Sequence, residues 1–142
     1  MTYHIPDGFS LWSPSSPFMK HIATLGDVYL RESDGTMALT VTQAHSNMHG
    51  IAHGGLSATL VDCALGSAVA RQSGKSVVTV QMSLDYMNAV QIGDWLEAHV
   101  TIDKQGRRLI YASCLLKAGD RVKLKASAVF AVVGDSGPVS DG

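Results

Sequence analysis

A glycine-rich loop and the apolar segment after it contain the residues best suited to chemistry. The loop is Asn47-Met-His-Gly-Ile-Ala-His-Gly-Gly55, and a single acidic residue, Asp62, follows seven positions later. Glycines at a helix start expose backbone N–H groups where the helix dipole favours negative charge. A carboxylate in an apolar helix is costly to bury, so such a residue is usually paired with another group or has a catalytic role. We therefore predict that the amides of Gly54 and Gly55 polarise a carbonyl oxygen while Asp62 acts as nucleophile or general base.

Other residues of the stretch have more than one interpretation. The side-chain amide of Asn47 can donate to the same carbonyl oxygen as Gly54. His53 either takes part in the reaction or caps the helix by bonding to its backbone. Asp62 is also compatible with a structural role, in which its carboxylate bonds to a neighbouring strand.

Metal and serine chemistry are disfavoured. His45, His49 and His53 recur at four-residue spacing and would align as metal ligands on a helix. The glycines between them argue against a helix, and no nearby Glu or Cys completes a tetrahedral set. The segment Gly55-Leu-Ser-Ala-Thr59 lacks the final glycine of a nucleophile elbow. No dinucleotide fingerprint or phosphate loop is present, so we expect neither a metal nor a cofactor.

The segment from Leu56 to Arg71 must position Asp62. It is rich in Leu and Ala, contains no proline, and is apolar on nearly every face, which predicts a buried helix. A transmembrane interpretation is disfavoured because a span needs about 20 apolar residues and this segment has a charge at its centre.

Strands surround this helix in the sequence. Asp34-Gly35 between two short apolar runs predicts a hairpin. Further along, apolar residues alternate with polar ones, which predicts half-buried strands. In one of them Val78, Val80, Met82, Leu84 and Tyr86 are predicted to share the apolar face. The predicted strands are 27–31, 36–43, 78–86, 96–103, 107–117 and 122–130. The fold class is therefore α+β, with an antiparallel sheet of five or six strands whose apolar face is covered by the helix.

The 142 residues are expected to form one domain over 1–133. An N-terminal helical extension over 1–25 contains a short helix that begins with Ser16 as N-cap and Pro17 and stops at Gly26. Residues 134–142 are rich in Gly, Ser, Asp and Pro and are predicted to be a disordered tail.

Composition restricts the partners and the compartment. The hydrophobic fraction is 46%, the charged fraction 16% and the net charge −1, which favours self-association and disfavours nucleic acid or an anionic membrane as partner. Cys63 and Cys114 lack a CxxC spacing and are expected to be buried thiols. With no basic-then-apolar N-terminus, the chain is expected in the cytoplasm.

The pattern Asn47-x-x-Gly50-x-x-His53-Gly54-Gly55, followed by Asp62 and a β meander, resembles the hotdog-fold acyl-CoA thioesterases. The resemblance is to the group that includes the phenylacetate-pathway and human thioesterase-superfamily enzymes, and it covers roughly residues 25–133. It implies a sheet wrapped around the long helix, and two subunits that pair into one continuous sheet as a homodimer or a dimer of dimers.

The resemblance also implies site roles. The N–H of Gly54 and the amide of Asn47 would bind the thioester oxygen, Asp62 would activate water or attack directly, and Thr79 would help to hold the water. The sequence departs from the family at 86–90, Tyr-Met-Asn-Ala-Val, where many relatives have a proline.

The helix length requires a second chain. Gly54 and Asp62 are eight residues apart, which is about 12 Å along a helix. In a reacting thioester, however, the carbonyl oxygen must lie about 3 Å from its donors while the adjacent carbonyl carbon lies near the base or nucleophile. Two antiparallel copies can bring Gly54 of one chain to Asp62 of the other.

Three basic residues, Lys104, Arg107 and Arg108, cluster at a predicted turn and could bind the CoA phosphates; the alternative is a solvated hairpin tip.

The predicted function is hydrolysis of an acyl-CoA to a free acid and CoA. One alternative is a hydratase or dehydratase of the same fold, pairing His53 with Asp62. The other is a non-catalytic acyl-CoA binder, although a transcriptional sensor would need a DNA-binding element that the sequence lacks.

Overall fold

The structure is a computed structural model and describes residues 4–135. The disordered tail predicted over 136–142 and the first three residues of the N-terminal extension lie outside the described residues. Gly134 and Asp135, which were predicted to belong to the tail, instead complete the last strand, where Asp135 pairs with Lys75.

One antiparallel sheet and two α-helices make up the described part of the chain. The helices are α1 (Pro17–Ala23) and α2 (Gly54–Ser73). The strands are β1 (Phe9–Leu11), β2 (Val28–Arg31), β3 (Thr36–Thr40), β4 (Lys75–Tyr86), β5 (Trp95–Gln105), β6 (Leu109–Ala118) and β7 (Arg121–Asp135). They are ordered β1-β2-β3-β5-β6-β7-β4, so β4 forms one edge of the sheet.

The predicted central helix is confirmed as α2. It packs against five strands, β3 to β7, and twelve of its twenty residues are buried. It begins two residues earlier than predicted because Gly54 and Gly55 form its first turn. It ends where Gly74 adopts a left-handed conformation, with φ of 68°, and donates its N–H to the Ala70 carbonyl.

The N-terminal region contains the predicted helix and one strand that was not predicted. Ser16 caps α1 by accepting the Met19 N–H at 3.1 Å. The helix ends at Ala23 and does not reach Gly26. β1 pairs with β2 and raises the strand count to seven, and the ring of Phe9 packs edge-on against Trp95, with 5.2 Å between centroids.

The prediction for the apolar face of β4 was wrong in part. Met82 and Leu84 pack against the core. Val78 and Val80, however, are 51% and 59% exposed. The register of β4 against β7 shifts between Thr79 and Gln81, and within residues 4–135 β4 has a neighbouring strand on one side only. The bulge changes which alternate residues face the core: Thr79 and Met82 pair with the buried Phe130 and Ala128, whereas Val78 pairs with Ala131 on the other face.

Two further properties concern the whole described region. No helix within residues 4–135 is both long enough and apolar enough to cross a membrane. Both cysteines are buried and form no disulfide, as predicted, and burial raises the pKa of the Cys114 thiol to about 12.

Candidate active site

The loop before α2 is a tight hairpin that orients Asn47. Ser46 and Ala52 form an antiparallel bridge, and the Asn47 N–H donates to the Ile51 carbonyl at 2.7 Å. The side-chain oxygen of Asn47 accepts the His49 N–H at 2.9 Å. Because the oxygen serves the loop, the Nδ2 amino group is the part of Asn47 left to donate to a ligand.

The first turn of α2 leaves one backbone donor open. His53 is the N-cap, and its Nδ1 accepts the Gly55 N–H at 2.9 Å. The amide predicted at Gly55 is therefore already bonded. Within residues 4–135 the Gly54 N–H has no acceptor, so Gly54 is the amide available to an oxyanion at this helix terminus.

This geometry also favours the capping interpretation of His53. Since Nδ1 accepts a backbone proton, the ring proton of neutral His53 lies on Nε2. His53 caps α2 in the same chain, nine residues before Asp62.

Tyr86 is a member of this group that the sequence did not reveal. Its hydroxyl donates to the Gly54 carbonyl at 2.6 Å. Its ring lies so close that a Cβ on Gly54 would be 3.5 Å from it. Tyr86 ends β4 and is 56% exposed. The sequence offered one signal for its role: it is an aromatic residue at the start of the segment 86–90, which departs from the family pattern.

Asp62 lies near the middle of α2, eight residues after Gly54. The hydroxyl of Thr79, on β4, donates to Asp62 Oδ1 at 3.0 Å. The carboxyl group borders a cavity of about 230 Å³ that is otherwise lined mainly by apolar side chains, including Phe18, Met19 and Met82. Asp62 is thus half-buried and accessible, rather than enclosed in the core as the apolar helix suggested.

The candidate site residues therefore form two separate groups in one chain, the candidate half-sites. Asn47, Gly54 and Tyr86 lie at the start of α2, and Asp62 and Thr79 lie at its middle. The separation of eight positions between Gly54 and Asp62 places the two groups about 12 Å apart along the axis. A donor and a base at that separation do not reach one thioester carbonyl within a single chain.

The three histidines considered as metal ligands do not form a metal-binding group in the described residues. His45 is 3% exposed and its Nδ1 accepts the Thr42 N–H at 2.9 Å. Burial lowers the pKa of His45, and His49 is exposed in the hairpin. In the part of the chain that the structure describes, no three His, Cys, Asp or Glu residues are placed to hold a metal ion.

The predicted phosphate-binding residues lie away from both candidate half-sites. Lys104, Arg107 and Arg108 are exposed at the β5–β6 turn. Thr79 on β4 and Gln105 at the end of β5 are separated in the sheet by β7 and β6. The distance across these three strand spacings is about 14 Å. Within one chain these cations do not border the Asp62 cavity.

Comparison with known proteins identifies the family. The sequence model of the thioesterase superfamily matches residues 49–125, more than half of the chain. The chain belongs to the thioesterase superfamily. The match includes Gly54, Asp62 and Thr79 but not Asn47 or α1.

Relatives of this thioesterase-superfamily chain agree with that assignment. A Pseudomonas aeruginosa protein whose name assigns it provisionally to the esterases is 39% identical over 132 residues, covering 89% of this chain and 96% of its own. Mouse acyl-coenzyme A thioesterase 13 is 38% identical over 76 residues, covering 53% and 54%. A crystal structure of a Streptococcus mutans protein bound to acetyl-CoA aligns with a TM-score of 0.69 and 25% identity, covering 72% and 83%. The expected hotdog fold and thioesterase class are confirmed.

Proposed function

We propose that this thioesterase-superfamily protein hydrolyses acyl-CoA thioesters to a carboxylic acid and CoA, at sites shared between two copies of the chain. The observation that carries the proposal is the pairing of Asp62 with Thr79 at the rim of an apolar cavity. The proposal is supported by the family and by the acetyl-CoA bound to the Streptococcus mutans neighbour.

The thioester oxygen binds at the start of α2. The open N–H of Gly54 and the Nδ2 group of Asn47 donate to it, and the positive end of the helix dipole stabilises the negative charge that develops on it. Tyr86 and His53 hold this turn by bonding to Gly54 and Gly55.

The thioester carbon lies beside Asp62 of the partner chain. As general base, the carboxylate takes a proton from a water that attacks the carbon; the C–S bond then breaks, and CoA leaves as a thiolate that takes up a proton. As nucleophile, Asp62 attacks the carbon itself; the C–S bond breaks, CoA leaves as a thiolate that takes up a proton, and a mixed anhydride remains. Water then hydrolyses the anhydride, which releases the acid and restores the Asp62 carboxylate. Thr79 donates to one carboxylate oxygen, and its own lone pairs can accept a bond from the water.

The edge of the sheet supports pairing of two chains. In the described part of the chain, β4 presents twelve residues with no strand on one side, and its Val78 and Val80 are exposed. A long apolar edge of this kind favours pairing with another strand. We propose a homodimer, or a dimer of such dimers, in which the helices run antiparallel.

Two finer assignments belong to the same proposal. Lys104, Arg107 and Arg108 bind CoA phosphates where the assembled protein brings this turn to a site mouth. The reaction takes place in the cytoplasm, a compartment suited to the two cysteine thiols.

The test is a panel of short-chain, long-chain and aryl acyl-CoAs with detection of the free thiol. We expect release of CoA from at least one ester without added metal. Binding of the esters without thiol release would contradict hydrolysis and favour a binder. Activity that a chelator removes and zinc restores would contradict the metal-free site.

A hydratase or dehydratase is less compatible with the geometry. Such an enzyme would use His53 with Asp62, and within one chain His53 is engaged as the cap of α2. Addition of water to an unsaturated acyl-CoA without thiol release would favour that alternative.

A further inference from the structure

The two donors proposed for the thioester oxygen lie at the two ends of the loop before α2. Asn47 is near the start of the loop, and Gly54 is the first residue of α2. The His53 N–H donates to the His45 carbonyl at 2.8 Å and so joins the two ends. His45 precedes Asn47 by two residues, and the residue that it binds directly precedes Gly54. The position of His45 therefore influences the distance between the two donors.

The ring of His45 is held by residues outside this loop. His45 ends a short 3₁₀-helix, Gln43–His45, and its Nδ1 accepts the Thr42 N–H at 2.9 Å. The Thr42 hydroxyl in turn donates to the Leu25 carbonyl at 2.8 Å. Together these bonds tie His45 to the connection between α1 and β2.

A glycine in that connection makes room for the ring. Gly26 does not have a positive φ, so its backbone conformation is also open to other residues. A Cβ at this position, however, would lie 2.8 Å from Cε1 of His45, whereas carbon atoms in contact are normally about 3.5–4.0 Å apart. The ring of His45 thus occupies space that a larger residue at position 26 would need.

Packing alone does not explain why this buried residue is a histidine. Since Nδ1 accepts a proton, the neutral ring carries its own proton on Nε2, and no group within residues 4–135 bonds to that atom. A buried donor without a partner is unfavourable, and an apolar side chain would avoid it. An apolar side chain could not accept the Thr42 N–H, so the bond at Nδ1 is what a histidine provides here.

We infer that His45 is a positioning residue for the reaction. Its ring, held by Thr42 against Gly26, keeps the two oxyanion donors at the separation at which both reach one thioester oxygen. The inference rests on the proposed function and adds to it a residue that acts only through its neighbours. A misplacement of about 1 Å in an active site can lower the rate by about 10²-fold, so a small movement of the ring should reduce kcat more than it changes KM.

The first test compares His45→Leu with His45→Asn. The two new side chains have the same shape, but the asparagine Oδ1 stands where the histidine Nδ1 was and can accept the Thr42 N–H. We expect His45→Leu to lower kcat by about tenfold or more with KM within about twofold, and His45→Asn to keep kcat within about threefold. The control His21→Leu changes an exposed histidine of α1 and should follow the wild type. Equal kcat values for folded His45→Leu and His45→Asn would contradict the inference.

The second test displaces the ring from Gly26 without removing a polar group, and it decides the question if His45→Leu does not fold. Gly26→Ala should push the ring away and lower kcat by about tenfold. The control is Gly134→Ala, where an added Cβ meets no atom within 4 Å. Wild-type kcat in Gly26→Ala would overturn the inference.

The double variant shows whether Gly26 acts through the ring. Asparagine has no atom at the position of Cε1, so adding Gly26→Ala to His45→Asn should change kcat by no more than about twofold. If instead the two single losses multiply, the two residues act independently, and the ring does not transmit the effect.

A measurement without turnover separates this inference from the proposed function. If the wild type releases no CoA from any ester, hydrolysis fails, and the NMR signal of the Gly54 amide in labelled protein decides the role of His45. That signal should shift in His45→Leu and Gly26→Ala and stay near its wild-type position in His45→Asn. The amide of Gly74, at the other end of α2, should not shift in any of them. A Gly54 signal that is unchanged in both His45→Leu and Gly26→Ala would overturn the inference whatever the activity.

Discussion

The hydroxyl of Thr79 donates to Asp62 Oδ1 at 3.0 Å and so joins the middle of α2 to the edge strand β4. The bond occupies one of the two carboxylate oxygens and fixes the other beside the cavity. A carboxylate has further acceptor capacity beyond one such bond, so Asp62 can bond to Thr79 and act on water or a thioester.

The exchange Asp62→Asn tests the charge of that carboxylate. The amide keeps the size of the side chain but cannot take a proton or attack, so kcat should fall by roughly 10²–10⁴. The matched control is Asp85→Asn on the same strand as Thr79, where the side chain is exposed. Wild-type kcat in a folded Asp62→Asn protein, measured by thiol release, would assign Asp62 a structural role.

Tyr86→Phe tests the first turn of α2. The ring stays against Gly54 while the 2.6 Å bond to its carbonyl is lost. Loss of a neutral hydrogen bond of this kind should lower the rate by about 2- to 10-fold. We expect this decrease in kcat, with KM nearly unchanged. Tyr29→Phe, the same atomic change on β2, should leave both constants at wild-type values. A change confined to KM, or none, would remove Tyr86 from the oxyanion turn.

His45 should make stability depend on pH. Burial lowers its pKa in the folded chain, whereas an unfolded histidine titrates near about 6.5. The unfolded state therefore binds the proton first, and the free energy of unfolding should decrease as pH falls from about 7 through 6.5 and below. Protonation would also displace the Thr42 N–H from Nδ1.

Urea unfolding between pH 7.5 and 5 measures this dependence. His45→Gln removes the titrating group, so its stability should fall less steeply than that of the wild type. The control His49→Gln changes an exposed histidine and should keep the wild-type slope. Parallel curves for wild type and His45→Gln would show that the pH dependence arises elsewhere.

Charge removal at the β5–β6 turn tests phosphate binding. Replacing Lys104, Arg107 and Arg108 by Gln should raise KM for CoA esters, and more at low salt, because screening weakens such contacts. Lys125→Gln, an exposed cation on β7, is the control. KM values that match the wild type at low ionic strength would leave these residues as a solvated hairpin tip.

Local sequence pattern was sufficient for α2, the β2–β3 hairpin and the position of Asp62, because each depends on neighbours close in the chain. It missed β1, whose three residues are too few to show a period. It misjudged Val78 and Val80, since simple alternation does not reveal the bulge between Thr79 and Gln81 that changes which residues face the core. Tyr86 contacts a residue 32 positions away, and no local pattern contains that contact.

The most direct test of the shared site uses Asn47→Ala and Asp62→Ala, each nearly inactive as a homodimer. The two proteins are unfolded together in equal amounts, refolded, and assayed for CoA release, with subunit exchange confirmed by mass. In a heterodimer one site receives both lesions and the other none, so about a quarter of wild-type activity should return. A refolded mixture that contains heterodimers and stays as inactive as its parents would show that Asn47 and Asp62 of the same chain serve one site, and would contradict the account.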